Sequence, residues 1–194
     1  MAHRDCLPHL RQPNVIYFVT FRLADSLPQE KIRILRARRD HWHEVNPPPH
    51  TPEQVREYHT IWTMPLERLG DTGWGSCVLR PALWRAAVAQ TLRRGDPDRY
   101  RLGAYVIMPN HVHALVQVHT RSQLSEIVQA WKSISAKAIN KARNVTGRVW
   151  QPEYFDHIVR DRAAYLRLDQ YIRNNPKHLP RGDFTLDQGN LTVA

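Results

Sequence analysis

The stretch that most constrains this chain is YRLGAYVIMPNHVHALVQV, residues 100–118. Two runs rich in β-branched and aromatic residues meet at Pro109 and Asn110. So short a link predicts two antiparallel strands closed as a hairpin, over 100–108 and 111–118. Alternate residues of a strand point to opposite faces. Val112, Ala114, Val116 and Val118 then form a wholly apolar face that must pack on helices. His111, His113, Leu115 and Gln117 form the other, which is polar where it begins and so lines a site or meets water. Two imidazoles side by side can hold one metal ion or one phosphate; the plainer reading is a half-exposed pair without a task. The same spacing recurs at His41 and His43. That pair falls in a predicted helix, where positions i and i+2 lie about 200° apart, and reads as surface histidines.

The segments around the hairpin set its context. NVIYFVTFRLA (14–24) reads as a strand. Residues 28–45 read as a helix with Ile32, Leu35 and Trp42 on its apolar side, and a second short helix is expected around 52–69. NPPPHTPEQ (46–54) and GDTGWGSC (70–77) read as loops. Residues 80–94 read as a helix whose buried stripe is Leu83, Trp84, Ala87, Val88 and Leu92. A long amphipathic helix is expected over 122–143, with a basic side at Lys132, Lys137 and Lys141. An extended segment follows within 147–161, then a helix over 161–175 stopped by Pro176. Residues 177–194 read as a short irregular tail. Strand, helices, hairpin, helix, strand and helix in one chain predict an α+β fold, an antiparallel sheet of ferredoxin-like order with helices packed on it. Residues 28–78 have too few apolar side chains for a core of their own, so 1–194 reads as a single domain with that insertion.

Charge narrows the function. The 194 residues carry 28 Lys and Arg against 18 Asp and Glu, a net +10, with six Trp and seven Tyr. A cationic surface with interspersed aromatics suits nucleic acid. No run is long enough to span a membrane. Cys6 and Cys77 stand far apart without a metal-ligand pattern, which suits a reducing cytoplasm.

Two histidines are too few to hold a metal. The helix ending in DQYIRNNP places Tyr171 and Asn175 one turn apart on one face. A phenol and an amide could be aimed together at the histidines. A divalent ion held there could polarise a phosphodiester towards attack by the phenol. The competing reading is a tyrosine packed at a helix–sheet seam, with Asn175 simply ending the helix.

The segments VTFRLADSLP, WGSCVLR, YVIMPNHVHALVQ, AWKSISAKAIN, WQPEYFDHIVRD and YIRNNP together resemble the single-tyrosine HUH transposase superfamily, and within it the REP-associated tyrosine transposases. The match runs from about Asn14 to Pro176 in the family's order. The resemblance implies the histidine motif on a central strand and the nucleophile on a C-terminal helix. It implies that His111, His113 and Asn175 hold Mg²⁺ or Mn²⁺ and that Tyr171 attacks single-stranded DNA, forming a 5′-phosphotyrosine bond. It implies strand cleavage and rejoining on DNA hairpins resembling repeated extragenic palindromes, by a cytoplasmic, nucleoid-associated enzyme. The short tail and long insertion resemble the domesticated branch, which favours a monomer over a dimer. Arg160, Lys132 and Lys137 are candidate DNA contacts; Asp156 and His157 serve the fold as readily as the site. Tyr154 lies outside the tyrosine helix, and the spacing of Tyr165 puts it on the opposite side of that helix from Tyr171. The alternative within the same fold is a hairpin-binding module without catalysis. A histidine-triad nucleotide hydrolase would want a third histidine where Leu115 stands.

Overall fold

A computed structural model describes residues 14–47, 49–58, 60–61 and 73–192; the side chains at 29, 32, 35, 36, 52, 55 and 56 are outside the description. Cys6, the Ile32 and Leu35 side chains and most of the second helix beyond residue 58 therefore lie outside it. The elements run β1 (Ile16–Arg22), α1 (Gln29–Val45), α2 (Pro52–Tyr58), α3 (Ala82–Arg93), β2 (Tyr100–Ile107), β3 (His111–Val118), α4 (Leu124–Arg143), β4 (Phe155–Val159), α5 (Arg162–Asn174) and β5 (Thr185–Gln188). The strands form one antiparallel sheet in the order β4-β1-β3-β2-β5. The first four strands have the ferredoxin-like order, and β3 is the central strand.

The sheet is covered on both faces. Val112, Ala114, Val116 and Val118 pack with Tyr17, Val19 and Phe21 of β1 against α3 and α4, which contribute Val88, Leu92, Ile127, Val128, Trp131 and Ile139. The opposite face, with Phe18, Val106 and Leu115, packs against Tyr165, Leu168, Tyr171 and Ile172 of α5. A one-residue slip between Leu102 and Tyr105 in the β2–β3 pairing shifts the alternation of β2. Tyr100, Leu102, Tyr105 and Ile107 thereby all reach the α3/α4 side. A Cβ on Gly103 at this slip would meet the Leu115 Cβ at 2.9 Å. A buried polar chain ties the first layer together: Trp150 Nε1 donates to Ser135 Oγ (3.0 Å), and Trp131 Nε1 donates to Tyr100 Oη (2.8 Å). That hydroxyl in turn donates to the Leu92 carbonyl (2.6 Å).

Four sequence expectations are corrected. Leu83 is 66% exposed; the buried stripe of α3 is Arg85, Val88, Ala89, Thr91 and Leu92, with Trp84 half-buried at its edge. The tail is not irregular throughout: β5 extends the sheet along β2, with Leu186 opposite Val106. Its anchors are polar, Arg85 Nε donating to Thr185 Oγ1 (3.1 Å) and Arg93 pairing with Asp187, so four residues of strand leave little periodicity to read. His43 is half-buried, its ring 5.3 Å from that of Tyr58, while His41 is exposed. Finally, Tyr165 and Tyr171 both pack towards the same sheet face.

Among the described residues, no helix is long and apolar enough to cross a membrane.

Candidate active site

β1 and β3 bring the site together. In their register Thr20 pairs with His113 and Arg22 with His111. Because residues alternate, Phe18, Thr20 and Arg22 share the face of the two histidines, and α5 crosses that face. The Met108 N–H donates to the His111 carbonyl (2.8 Å), so Pro109 and Asn110 close the hairpin just before the first imidazole. The sequence expected the histidine face to be partly open. Instead both imidazoles are fully buried, His111 and His113 at 0%.

Each ring is oriented by one neighbour. Asn110 Nδ2 donates to the Trp74 carbonyl (3.0 Å), which turns its Oδ1 towards His111 Nδ1 at 2.7 Å. His111 Nδ1 then carries the proton, and its Nε2 keeps a lone pair. Thr20 Oγ1 lies 2.7 Å from His113 Nδ1. The two rings sit 4.6 Å apart between centroids. Burial holds the pKa of both well below the usual value; the nearby Arg22 guanidinium adds to this, and for His111 so does His113, while the Asn175 amide opposes it. Both are therefore neutral near pH 7, the state in which imidazole is a ligand.

α5 supplies the remaining groups. Asp161 caps it, its carboxylate accepting from the Ala164 N–H (2.7 Å). Pro176 ends it, and residues 175–178 continue as a 3₁₀ turn. The Asn175 N–H still donates to the Tyr171 carbonyl, so the two side chains stand one turn apart. The Tyr171 ring lies 5.4 Å from His113 and 5.8 Å from Phe18, edge-on to both. Among the described residues His113 Nε2 is buried without a hydrogen-bond partner, and Asn175 Oδ1 is buried on the same face, where its amide bears on His111. One amide oxygen beside two neutral imidazoles is a donor set a cation could satisfy. Among the described residues no three His, Cys, Asp or Glu side chains cluster as ligands.

His111, His113, Tyr171 and Asn175 are thus gathered on one face. Lys132, Lys137 and Arg160 are not. α4 covers the opposite face of the sheet, where Lys137 is exposed. Lys132 Nζ donates to the Pro152 carbonyl (2.7 Å), and burial lowers its pKa to about 8. It braces the segment before β4 rather than presenting an open charge. Arg160 follows Val159, which pairs with Ile16, about 20 Å along β1 from the Arg22–His111 level. His157 pairs with Phe18, on the site face, and Asp156 with Val19, on the other. Tyr154 packs in the α3/α4 core. Thr20, Arg22 and Asn110 are site residues that sequence reasoning did not single out. For Thr20 and Arg22 the signal was present: two polar residues at alternate positions near the end of an otherwise apolar strand.

The family model described as "Transposase IS200 like" matches residues 93–175, the span that holds all four gathered residues. Over these residues the chain is similar to the IS200-like transposases. A Haemophilus influenzae protein of uncharacterized function is 29% identical over 98 residues, covering 39% of this chain and 54% of that protein. The chain thus matches about half the length of that relative. Among solved structures, a REP-associated tyrosine transposase bound to a REP hairpin aligns with 92% of this chain and 75% of its own, at 16% identity and a TM-score of 0.47. A Deinococcus radiodurans protein described as a transposase aligns with 89% of this chain and 98% of its own, at 15% identity and a TM-score of 0.35.

Proposed function

We propose that this chain is a transposase of the IS200-like kind, a metal-dependent single-stranded DNA endonuclease and strand transferase. It acts on DNA hairpins of the repeated-palindrome kind through a 5′-phosphotyrosine intermediate. The observation that carries the reading is the convergence, on one buried sheet face, of two neutral imidazoles, an amide oxygen and the Tyr171 ring. His111, His113 and Asn175 would hold Mg²⁺ or Mn²⁺. A divalent ion bound there supplies Lewis-acid polarisation of a phosphodiester oxygen.

This chain's own residues do the rest. Asn110 and Thr20 fix the imidazoles with Nε2 turned to the site. Arg22, 7% exposed on the same face, offers a guanidinium fork to the phosphate. Tyr171 makes the new bond: its phenolic oxygen joins phosphorus, the bond from phosphorus to the 3′-oxygen breaks, and the proton lost by the phenol is balanced by one gained at the 3′-hydroxyl. The reverse attack by that hydroxyl rejoins the strand without external energy, because one phosphodiester replaces another. The burial of both imidazoles favours a flexible single strand over a duplex as the substrate. We read the protein as a monomer, with Tyr171 packed on the same sheet as the two histidines. We read residues 1–194 as one domain, with 28–78 as an insertion.

The test is incubation with labelled single-stranded hairpins copied from beside the gene, with Mn²⁺ or Mg²⁺, followed by a denaturing gel. An adduct that survives denaturant and is lost with chelator or with Tyr171→Phe is expected. Tight binding without adduct would favour a hairpin-binding module that has lost catalysis.

A further inference from the structure

Trp74 is 55% exposed, yet the loop that carries it is fixed. Its carbonyl accepts from Asn110 Nδ2 at 3.0 Å, and Asn110 Oδ1 lies 2.7 Å from His111 Nδ1. Two hydrogen bonds therefore link the Trp74 backbone to the first imidazole. The loop is held elsewhere as well. The Ser76 N–H donates to Asp25 Oδ2 (2.8 Å), the Leu79 N–H to the Pro109 carbonyl (3.1 Å) and Cys77 Sγ to the Gly73 carbonyl (3.1 Å). Gly75 sits at φ +95°, and a Cβ there would lie 2.5 Å from the Asp25 carbonyl oxygen. The backbone of the loop is thus pressed onto the turn after β1.

Core packing does not account for an indole left open on so constrained a loop. Its sequence neighbours Gly73, Gly75 and Ser76 supply no apolar surface to make it the centre of a protein-binding patch. An exposed indole whose backbone stands two hydrogen bonds from His111 matches what an unpaired base needs. The base offers a flat apolar face, and a platform that is already ordered gives up little entropy when it stacks. A base inside a duplex is stacked on both sides and cannot offer that face.

We propose that Trp74 is the stacking platform for one unpaired base of the DNA strand whose phosphate enters the His111–His113 site. This rests on the single-stranded DNA reading above and adds a position at which the unpaired flank is gripped. The platform is sequence-tolerant, because every base has a π-face, and it favours substrates with an unpaired flank over blunt hairpins.

The test is fluorescence anisotropy of hairpin oligonucleotides copied from beside the gene, each with an unpaired tail of about ten nucleotides. They are bound to the Tyr171→Phe protein with Mn²⁺, so that no bond is cut, and each tail position is replaced in turn by an abasic site. One abasic position should weaken binding about ten-fold. Trp74→Ala should weaken binding of the intact oligonucleotide by a similar factor and become insensitive to that abasic site, while Trp74→Phe retains part of the affinity. Equal binding by Trp74→Ala, or an abasic penalty that persists in it, would overturn the proposal. So would a scan in which no tail position matters, which is read on Trp74-containing protein and needs no variant at this site to fold. If the unsubstituted protein forms the covalent adduct but Trp74→Ala binds as tightly as its parent, only the platform fails. If the unsubstituted protein binds no single-stranded hairpin, the function reading falls with it.

Discussion

Thr20→Val separates a ligand-orienting role from a packing role at His113. Thr20 is 2% exposed on the strand paired with β3, and its hydroxyl lies 2.7 Å from Nδ1 of a ring at 0%. Valine keeps the branched shape and the strand preference, so the substitution removes one oxygen and little volume. No water can replace that oxygen in a buried pair, and losing a buried partner costs about 1–3 kcal/mol. The ring also loses what sets its tautomer and angle, a second effect worth about 10–100-fold in metal affinity where an outer partner of a ligating histidine is removed. The expected result is a lower urea midpoint with unchanged slope, together with weaker Mn²⁺ binding by calorimetry in the absence of DNA. If Thr20→Val loses stability yet binds Mn²⁺ as tightly as the parent, His113 is not a ligand held by Thr20. If the parent itself binds no Mn²⁺ or Mg²⁺, the metal assignment to this face is wrong.

Acid should destabilise the metal-free protein. Both imidazoles have folded pKa values well below 6.5, so below about pH 6.5 the unfolded chain binds protons that the folded one does not. Stability is then full above that pH and falls as pH drops, by up to about 1.4 kcal/mol per pH unit for each ring; urea midpoints between pH 5 and 7 that do not move for the parent would contradict the burial. Gly75→Ala should destabilise by about 1–3 kcal/mol, since it combines a positive φ with a Cβ 2.5 Å from the Asp25 carbonyl; thermal unfolding measures it. Arg22→Gln should weaken binding of single-stranded DNA and lower its salt dependence, because one phosphate-directed charge is lost; an unchanged slope of log affinity against log salt would remove Arg22 from the phosphate path.

The reach of the sequence differed by kind of feature. The hairpin, the two faces of β3 and the pairing of Tyr171 with Asn175 were legible because period-two and i,i+4 spacing are local properties. The slip at Gly103 was not, because a single inserted residue looks like ordinary alternation until its partner strand is known. β5 escaped because its four residues are held by Arg85 and Arg93, almost a hundred positions away. Lys132 looked like an open cation because a helical pattern places its Cα on the basic side. Its long stem then lets Nζ fold back onto the Pro152 carbonyl. The tyrosine helix misled in the same way: six residues of spacing suggested opposite sides, yet the helix buries Tyr165 against the sheet and still brings Tyr171 to the histidines. Arg22 and Thr20 lay in the quoted β1 segment, but only the β1–β3 register shows that they stand opposite the two imidazoles.

The central claim is that Tyr171 attacks DNA beside the His111–His113 pair, and locating the covalent bond tests it most directly. The protein is incubated with a single-stranded hairpin and Mn²⁺, digested with trypsin and nuclease, and its peptides are sequenced by mass spectrometry. The account predicts a nucleotide remnant linked through phosphate to Tyr171. A remnant on Tyr165, Tyr154 or any other residue would contradict it, as would cleaved DNA with no peptide carrying a remnant.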